Sequence, residues 1–330
     1  MRWFLYIFLT ILTVLVLTGG GIGYWVYGGF TKPGPLQQDT IVVIEPGTGV
    51  GEIATELAAR GVLADPFFFR VGTRFLSEPK PLKAGEFLFP SGISAREAIQ
   101  LLQVGKTVAR RVTFAEGLTS YEIIQQISQT EGLTGRVENV WPEGALLPET
   151  YHFSLGDRRT DILRRMSVDM SKLVAELWAK RDEGLPLNSP EEAIILASIV
   201  EKETGVASER AHVAGVFMNR LRKGIRLQTD PTVVYGLTQG KGPLGRGLTR
   251  SDLKQATAFN TYLIKGLPPA PIANPGRKSL LAVMHPMTTE DFYFVADGTG
   301  GHLFARTLKE HNRNVAKWRK IERARKNRQE

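Results

Sequence analysis

From Phe4 to Tyr27 the chain reads FLYIFLTILTVLVLTGGGIGYWVY, and residues 3–31 carry no charged side chain. At 1.5 Å per residue, a helix of this length crosses a hydrocarbon layer of about 30 Å. The run is longer than the roughly 7–15 apolar residues of a cleaved signal peptide. It ends in Trp25 and Tyr27, residue types that favour the membrane–water interface. The pattern predicts an uncleaved, single-pass signal anchor in residues 1–31, with the membrane taken up by 3–27. A cleaved signal and a buried core helix are its rivals. Arg2 precedes the run and Lys32 follows it, which gives a faint lean toward a cytoplasmic N-terminus. Residues 32–39 (KPGPLQQD) read as a linker, because Pro and Gly break regular structure there.

A three-fold pattern follows. Ile44-Glu45-Pro46-Gly47 leads to Gly51-Glu52-Ile53-Ala54 and Leu57. Leu88-Phe89-Pro90-Ser91-Gly92 leads to Arg96-Glu97-Ala98-Ile99 and Leu102. Val112-Thr113-Phe114-Ala115-Glu116-Gly117 leads to Tyr121-Glu122-Ile123-Ile124 and Ile127. Each copy reads as an apolar strand, a Gly turn and a helix whose first turn holds a Glu. Ser94-x-x-Glu97 and Thr119-x-x-Glu122 have the form of capping boxes, which satisfy orphan amides at a helix start. Gly49 in the first copy is a weaker cap. Residues 40–130 are therefore expected to be strand–helix units, and they resemble the LysM-like modules that hold cell-wall glycan. A duplicated scaffold without a ligand is the plain alternative.

Residues 140–151 (VWPEGALLPETY) are loop-like and aromatic. Residues 160–183 place Ile162, Leu163, Met166, Met170, Leu173 and Leu177 on one helical face. Ser189-Pro190-Glu191-Glu192 is a strong helix start, with Pro at the first helical position. That helix is expected to run to about Thr204, and a second from Ser208-Glu209 to Gly224. Val233-Val234-Tyr235 and Phe292–Val295 read as strands from their β-branched and aromatic content. The fold class is α+β: one membrane helix, a small strand–helix module, a mixed α+β domain over 131–312 and a basic tail over 313–330.

Composition narrows the chemistry. The 330 residues contain no cysteine, which excludes disulfides, Cys-ligated metals and a thiol nucleophile. Five scattered histidines do not suggest a metal site, and no metal or cofactor is expected. The net charge of +9 invites a nucleic-acid reading. However, residues 306–330 hold ten Lys or Arg against three Glu, so most of the excess sits in one terminal segment. A body outside the cytoplasm has no nucleic acid to meet.

The sharpest chemistry lies in Glu201-Lys202-Glu203. Leu196, Ile199, Val200 and Glu203 fall at i, i+3, i+4 and i+7, so Glu203 continues a bulky apolar stripe. Glu201 follows Ile194, Ala197 and Ser198, a smaller face. A carboxyl group in line with a buried stripe is either ion-paired, for example with Arg210 or Arg226, or desolvated. Desolvation raises its pKa, as a general acid at neutral pH requires.

The string ILASIVEKETGVASER, followed by VFMNRLRKGIRLQTDPTVVYG, resembles the signature of the YceG-like endolytic murein transglycosylases. AFNTYLIKGLPPAPIANPG (258–276) and FYFVADGTGGHLFARTLKEHN (292–312) match as well, and the layout of anchor, module and C-terminal domain agrees. The resemblance implies cleavage within peptidoglycan strands to leave 1,6-anhydro-N-acetylmuramic acid ends. It also implies that the second Glu of EKE, Glu203, is the catalytic acid and base. It implies an inner-membrane protein with a periplasmic body that acts near newly made strands, with peptidoglycan synthases as candidate partners.

On this reading the other motif residues line a glycan cleft. Gln228, Thr229 and Asp230 precede Pro231, and Asn260, Thr261 and Tyr262 offer amide and hydroxyl groups. Glu201 is counted with them. Turn chemistry is the plain reading of Asp before Pro and of Asn in a loop. His302 and His311 are weaker candidates, and His285 before Pro286 reads as structural. Gly298-x-Gly300-Gly301 lacks the Lys-Ser/Thr ending of a phosphate loop. A water-using muramidase with Asp230 as second carboxylate and a non-catalytic wall-binding anchor remain the alternative activities.

Overall fold

The computed structural model describes residues 2–326. The described residues form a mixed α and β structure with three two-stranded sheets. The chain divides into two compact units, Met1–Arg110 with Phe153–Gly156, and Arg111–His152 with Asp157–Glu330. The unit boundary falls inside the expected 40–130 module, so the third strand–helix copy lies with the second unit.

In the first unit, α1 (Arg2–Thr31) is followed by β1 (Thr40–Ile44), α2 (Val50–Ala59), α3 (Pro66–Val71), a π-helical turn (Gly72–Leu76), β2 (Gly85–Phe89) and α4 (Ala95–Val104). β1 and β2 pair antiparallel, from Thr40 opposite Phe89 to Ile44 opposite Gly85. Alternation sends Val42, Ile44, Phe87 and Phe89 into one core with Ile53, Leu57, Ile99 and Leu102. α4 starts with the expected capping box: Ser94 N donates to Glu97 at 2.9 Å and Glu97 N to Ser94 Oγ at 3.3 Å. Gly49 has no side chain to offer, so α2 keeps only the half in which Gly49 N donates to Glu52 at 3.0 Å.

α1 is apolar, and its central window is wholly exposed. Thr10 and Thr13 return their hydroxyls to carbonyls one turn earlier, at 2.8 Å, which removes their polarity from the helix surface. The last turn differs. Phe30 is 2% exposed and belongs to the core of the first unit. A Cβ on Gly29 would lie 2.2 Å from the Phe68 ring, so only glycine permits this approach. Residues 32–39 are not a free linker. Gly34 N donates to Ile93 O at 3.2 Å, Gly92 N to Leu36 O at 2.8 Å and Ser91 N to Asp39 at 2.9 Å.

The second unit contains β3 (Arg110–Thr113) and β4 (Thr150–Phe153) except for their end residues Arg110 and Phe153, together with α5 (Ser120–Gln129), α6 (Arg159–Ala179), α7 (Pro190–Glu203), α8 (Arg210–Arg222), α9 (Asp230–Thr238), α10 (Arg277–Met284), β5 (Tyr293–Ala296), β6 (His302–Ala305) and α11 (Leu308–Lys326). β3 pairs with β4, and β5 pairs antiparallel with β6. The apolar stripes of α6, α7, α8 and α10 meet in a second core, which includes Leu173, Leu196, Ile199, Val200, Phe217 and Val283. α5 carries the other expected capping box, Thr119 with Glu122.

Two expectations are corrected. Val233-Val234-Tyr235 is helical and lies inside α9. Pro231 in the first turn fixes a helical φ, and Thr232, Val233 and Gly236 bury at helical spacing, so packing overrides the local β propensity. The basic segment is not divided from the chain before it at 312–313 either. α11 runs unbroken through 312–313 and packs on the β5–β6 hairpin, with Trp318 and Ile321 over Gly298. Residues 327–330 of the expected tail lie outside the described residues.

Candidate functional site

α7 is the spine of the site. Ser189 accepts from Glu192 N at 3.3 Å and Pro190 occupies the first turn. Ser198 Oγ, fully buried, accepts from Ile272 N at 3.0 Å, which ties the irregular 265–276 segment to the helix. The two glutamates at the far end then diverge. Glu201 accepts from Arg210 Nη2 at 3.2 Å and from Gly276 N at 2.9 Å, with only 4% of its side chain exposed. Arg210 also donates to Ser279 at 3.1 Å. The ion pair considered for Glu203 is thus taken by Glu201. Glu201 is not among the residues lining the cavity that Glu203 faces; its carboxylate ties α7 to α8 and to the start of α10.

Glu203 faces a cavity of about 460 Å³, together with Arg220, Gln228, Asp230, Tyr262, Tyr293, His302 and His311. Burial pushes its carboxyl pKa up, and the negative charge of Asp230 adds to the rise. The Thr229 hydroxyl, His302 and Arg220 pull it part-way back. Thr229 Oγ1 is buried with no hydrogen bond of ordinary length to any side chain or backbone group, so it stands available to the Glu203 carboxyl.

The cavity wall is built by side-chain ties. Tyr262 OH donates to Asp230 Oδ1 at 2.6 Å, and burial together with that carboxylate drives the phenol pKa well up. Arg220 donates to Phe292 O at 2.6 Å and Leu227 O at 2.7 Å and lies 5.2 Å from the Tyr293 ring centroid. Burial lowers its pKa, against the pull of Tyr293 and Glu203. His302 is clamped by Glu209, which accepts from its backbone N at 2.9 Å and meets ring Nδ1 at 2.7 Å. Burial acts to raise the Glu209 carboxyl, but the hydrogen bonds from His302 outweigh it and hold the group below its ordinary value. A Cβ at Gly301 would meet Glu209 Oε1 at 2.7 Å, so the clamp depends on glycine. His311 stacks on Tyr293 at 5.2 Å, and burial lowers its pKa.

Comparison with known proteins places the chain in a family. The YceG-like family model matches residues 42–317. The chain belongs to the YceG-like family. A Bacillus subtilis relative named endolytic murein transglycosylase is 29% identical in an alignment of 319 positions that covers 86% of this chain and 87% of that protein. A Streptococcus pneumoniae relative of the same name is 26% identical over 83% of this chain, and the match spans 57% of that longer protein. The crystal structure of a yceG-like protein from Listeria monocytogenes superposes with a TM-score of 0.50 at 27% identity, covering 84% of this chain and 99% of that one.

The remaining residues of this YceG-like chain divide between wall and support. Gln228, Asp230 and Tyr262 face the cavity with Glu203. Thr229, Asn260 and Thr261 stand behind it, at 2%, 0% and 0% exposure. Thr261 Oγ1 accepts from Thr229 N at 3.0 Å, and Asn260 Nδ2 donates to Gln255 O at 2.8 Å. The Asn260 amide and the Thr261 hydroxyl hold the loop, as does the backbone N–H of Thr229, while the Thr229 hydroxyl is left toward Glu203. Gln228 adopts φ +50°, a left-handed conformation that non-glycine residues rarely take. His285 pairs with Asp182 at 2.7 Å, in keeping with a structural role. Gly298, Gly300 and Gly301 form the β5–β6 turn, in which Asp297 accepts from Thr299 N at 2.6 Å.

Three features had no usable sequence signal. Arg220 and Tyr293 enter the cavity only because α8 and β5 pack together. Glu143 is a buried carboxyl that accepts from Ser120 N at 2.7 Å, Asn274 at 3.1 Å and Tyr235 OH at 3.2 Å. Burial raises its pKa, against those hydrogen bonds.

Proposed function

We propose that this protein is a membrane-anchored endolytic murein transglycosylase with Glu203 as its general acid and base. The observation that carries the reading is the position of Glu203: a carboxyl group with a raised pKa, at the end of a rigid buried helix, opening on a polar cavity. Membership of the YceG-like family and the names of the Bacillus and Streptococcus relatives supply the substrate, peptidoglycan.

Ordinary glycosidases use two carboxylates, one for the leaving group and one for water or covalent attack. A lytic transglycosylase needs no external water. Protonated Glu203 gives its proton to the oxygen linking N-acetylmuramic acid to N-acetylglucosamine, and the C1–O4 bond breaks. The C6 hydroxyl of the same muramic acid attacks C1 and forms the 1,6-anhydro bridge, and its proton goes to the ionised Glu203. The attack is fast because its nucleophile is already in place. Gln228, Asp230 and Tyr262 are the candidate glycan contacts. The apolar α1 holds the protein in the membrane with its body on the outer side.

The test compares the full chain with Glu203→Gln on purified glycan strands, with products analysed by mass spectrometry. Anhydro ends, lighter by one water than hydrolysed ends, are expected from the first, with a rate loss of about 10²–10⁴ in the variant. Hydrolysed ends would indicate the muramidase reading with Asp230 as base. Undiminished anhydro ends from Glu203→Gln would remove Glu203 from the mechanism. Binding without cleavage by either protein would leave only a wall-binding role.

A further inference from the structure

We infer that the segment 66–76 (PFFFRVGTRFL) of the first unit is a second membrane contact, seated in the headgroup layer of the bilayer beside α1. The inference rests on the reading of α1 as a membrane span.

The level of the segment follows from helix geometry. About 20 residues of helix fill the hydrocarbon layer, so a span starting at Trp3 leaves it near Ile22. Trp25 then stands at the headgroup level, where tryptophan is favoured. The Trp25 ring lies 5.9 Å from Phe67 and 5.1 Å from Phe68, which brings the first turn of α3 to the same depth. Gly29 lets Phe68 touch the α1 backbone, so the two helices are locked together there.

The outer face of the segment suits that place and no other. Phe69 and Gly72 point into the core. Phe67, Phe75 and Leu76 are left 39%, 72% and 44% exposed, which is costly against water. Arg70 and Arg74 are exposed among them, and Arg74 lies over the Phe75 ring at 5.5 Å. Aromatic anchors interleaved with arginines whose stems lie along apolar surface are what an interfacial helix presents to anionic lipid.

The cysteine-free chain makes the test direct. Leu12→Cys, Glu45→Cys, Phe67→Cys and Phe75→Cys are made one at a time in the full chain and labelled with a nitroxide. Each protein is placed in vesicles of phosphatidylethanolamine and phosphatidylglycerol, and collisions with oxygen and with a water-soluble nickel chelate are measured. Positions 67 and 75 are expected to meet nickel at least about threefold less often than position 45, as a buried interfacial face requires. Phe75 is so exposed that its replacement leaves the core intact, and unchanged thermal unfolding of Phe75→Cys confirms this. Nickel access at 75 equal to that at 45, with position 12 protected, overturns the inference and leaves the anchor standing. Nickel access at position 12 equal to that at 45 removes the anchor and the inference together.

Discussion

The two glutamates of α7 should separate cleanly under mutation if, as proposed, Glu203 is the acid and base while Glu201 only braces the helix. Arg210→Ala leaves the Glu201 carboxylate, 4% exposed, with only Gly276 N as a partner. Arg210 is itself 8% exposed in its side chain. Removing one partner of a buried pair costs about 3–5 kcal/mol, so the second unit should melt roughly 6–20 °C lower, at 2–4 °C per kcal/mol for a domain near 200 residues. Glu116, 3.6 Å from Arg210 and more exposed, adds little. Glu201→Gln keeps an acceptor for Gly276 N but leaves the guanidinium short of one, for about 1–3 kcal/mol. The double variant Glu201→Leu/Arg210→Met should regain much of the loss, since apolar replacement of a whole buried pair is often neutral. Urea unfolding of the four proteins measures the coupling, and turnover is normalised to the folded fraction. The reasoning fails if Arg210→Ala unfolds at the same urea concentration as the parent. It also fails if Glu201→Gln retains full stability and loses turnover, which would return Glu201 to the substrate site.

Glu203→Gln should behave in the opposite way. A carboxyl whose pKa is raised on folding binds more protons in the native state, so stability declines as pH climbs from the ordinary glutamate pKa through the raised value. The variant should therefore match the parent at pH 3 and exceed it at pH 7, as chemical denaturation at the two pH values will show. For the same reason parent turnover should fall on the alkaline side, with an apparent pKa above the ordinary glutamate range. Gln228→Gly relieves a left-handed non-glycine residue and should stabilise by up to about 1 kcal/mol in thermal unfolding, while KM for glycan rises through loss of the side-chain amide. Glu209→Gln should free His302 and lower kcat several-fold without a comparable change in thermal midpoint, and a matching loss in His302→Gln would show that the two act as one unit.

The fold was legible where side chains speak to the nearest turn. Ser94 with Glu97, Thr119 with Glu122 and Ser189 with Pro190 mark helix starts because capping is a contact within four residues. The apolar stripes of α6 and α7 were readable for the same reason, and the stripe of α7 separated Glu203 from Glu201. Readability ended where distant contacts decide. Arg210 was weighed as a partner for Glu203, and only the packing of α8 on α7 and α10 assigns it to Glu201. Asn260 and Thr261 have the same donors and acceptors whether they face a ligand or a backbone, and their burial comes from the whole unit. Val233-Val234-Tyr235 misled because β-branched residues also fill a short helix whose start is fixed by proline.

The last turn of α1 sets a limit on how this protein can be shed or shortened. Phe30 lies inside the core of the first unit, packed so closely on Gly72 that a Cβ there would come within 2.3 Å of its ring. A protease cut anywhere up to Tyr27 would leave that packing whole. A cut at or beyond Phe30 would take a core aromatic away with α1, and losing a buried phenylalanine side chain costs about 3–5 kcal/mol. Trimming at or beyond Phe30 would thus leave the first unit damaged, and a shortened version for enzymology should begin no later than Gly28.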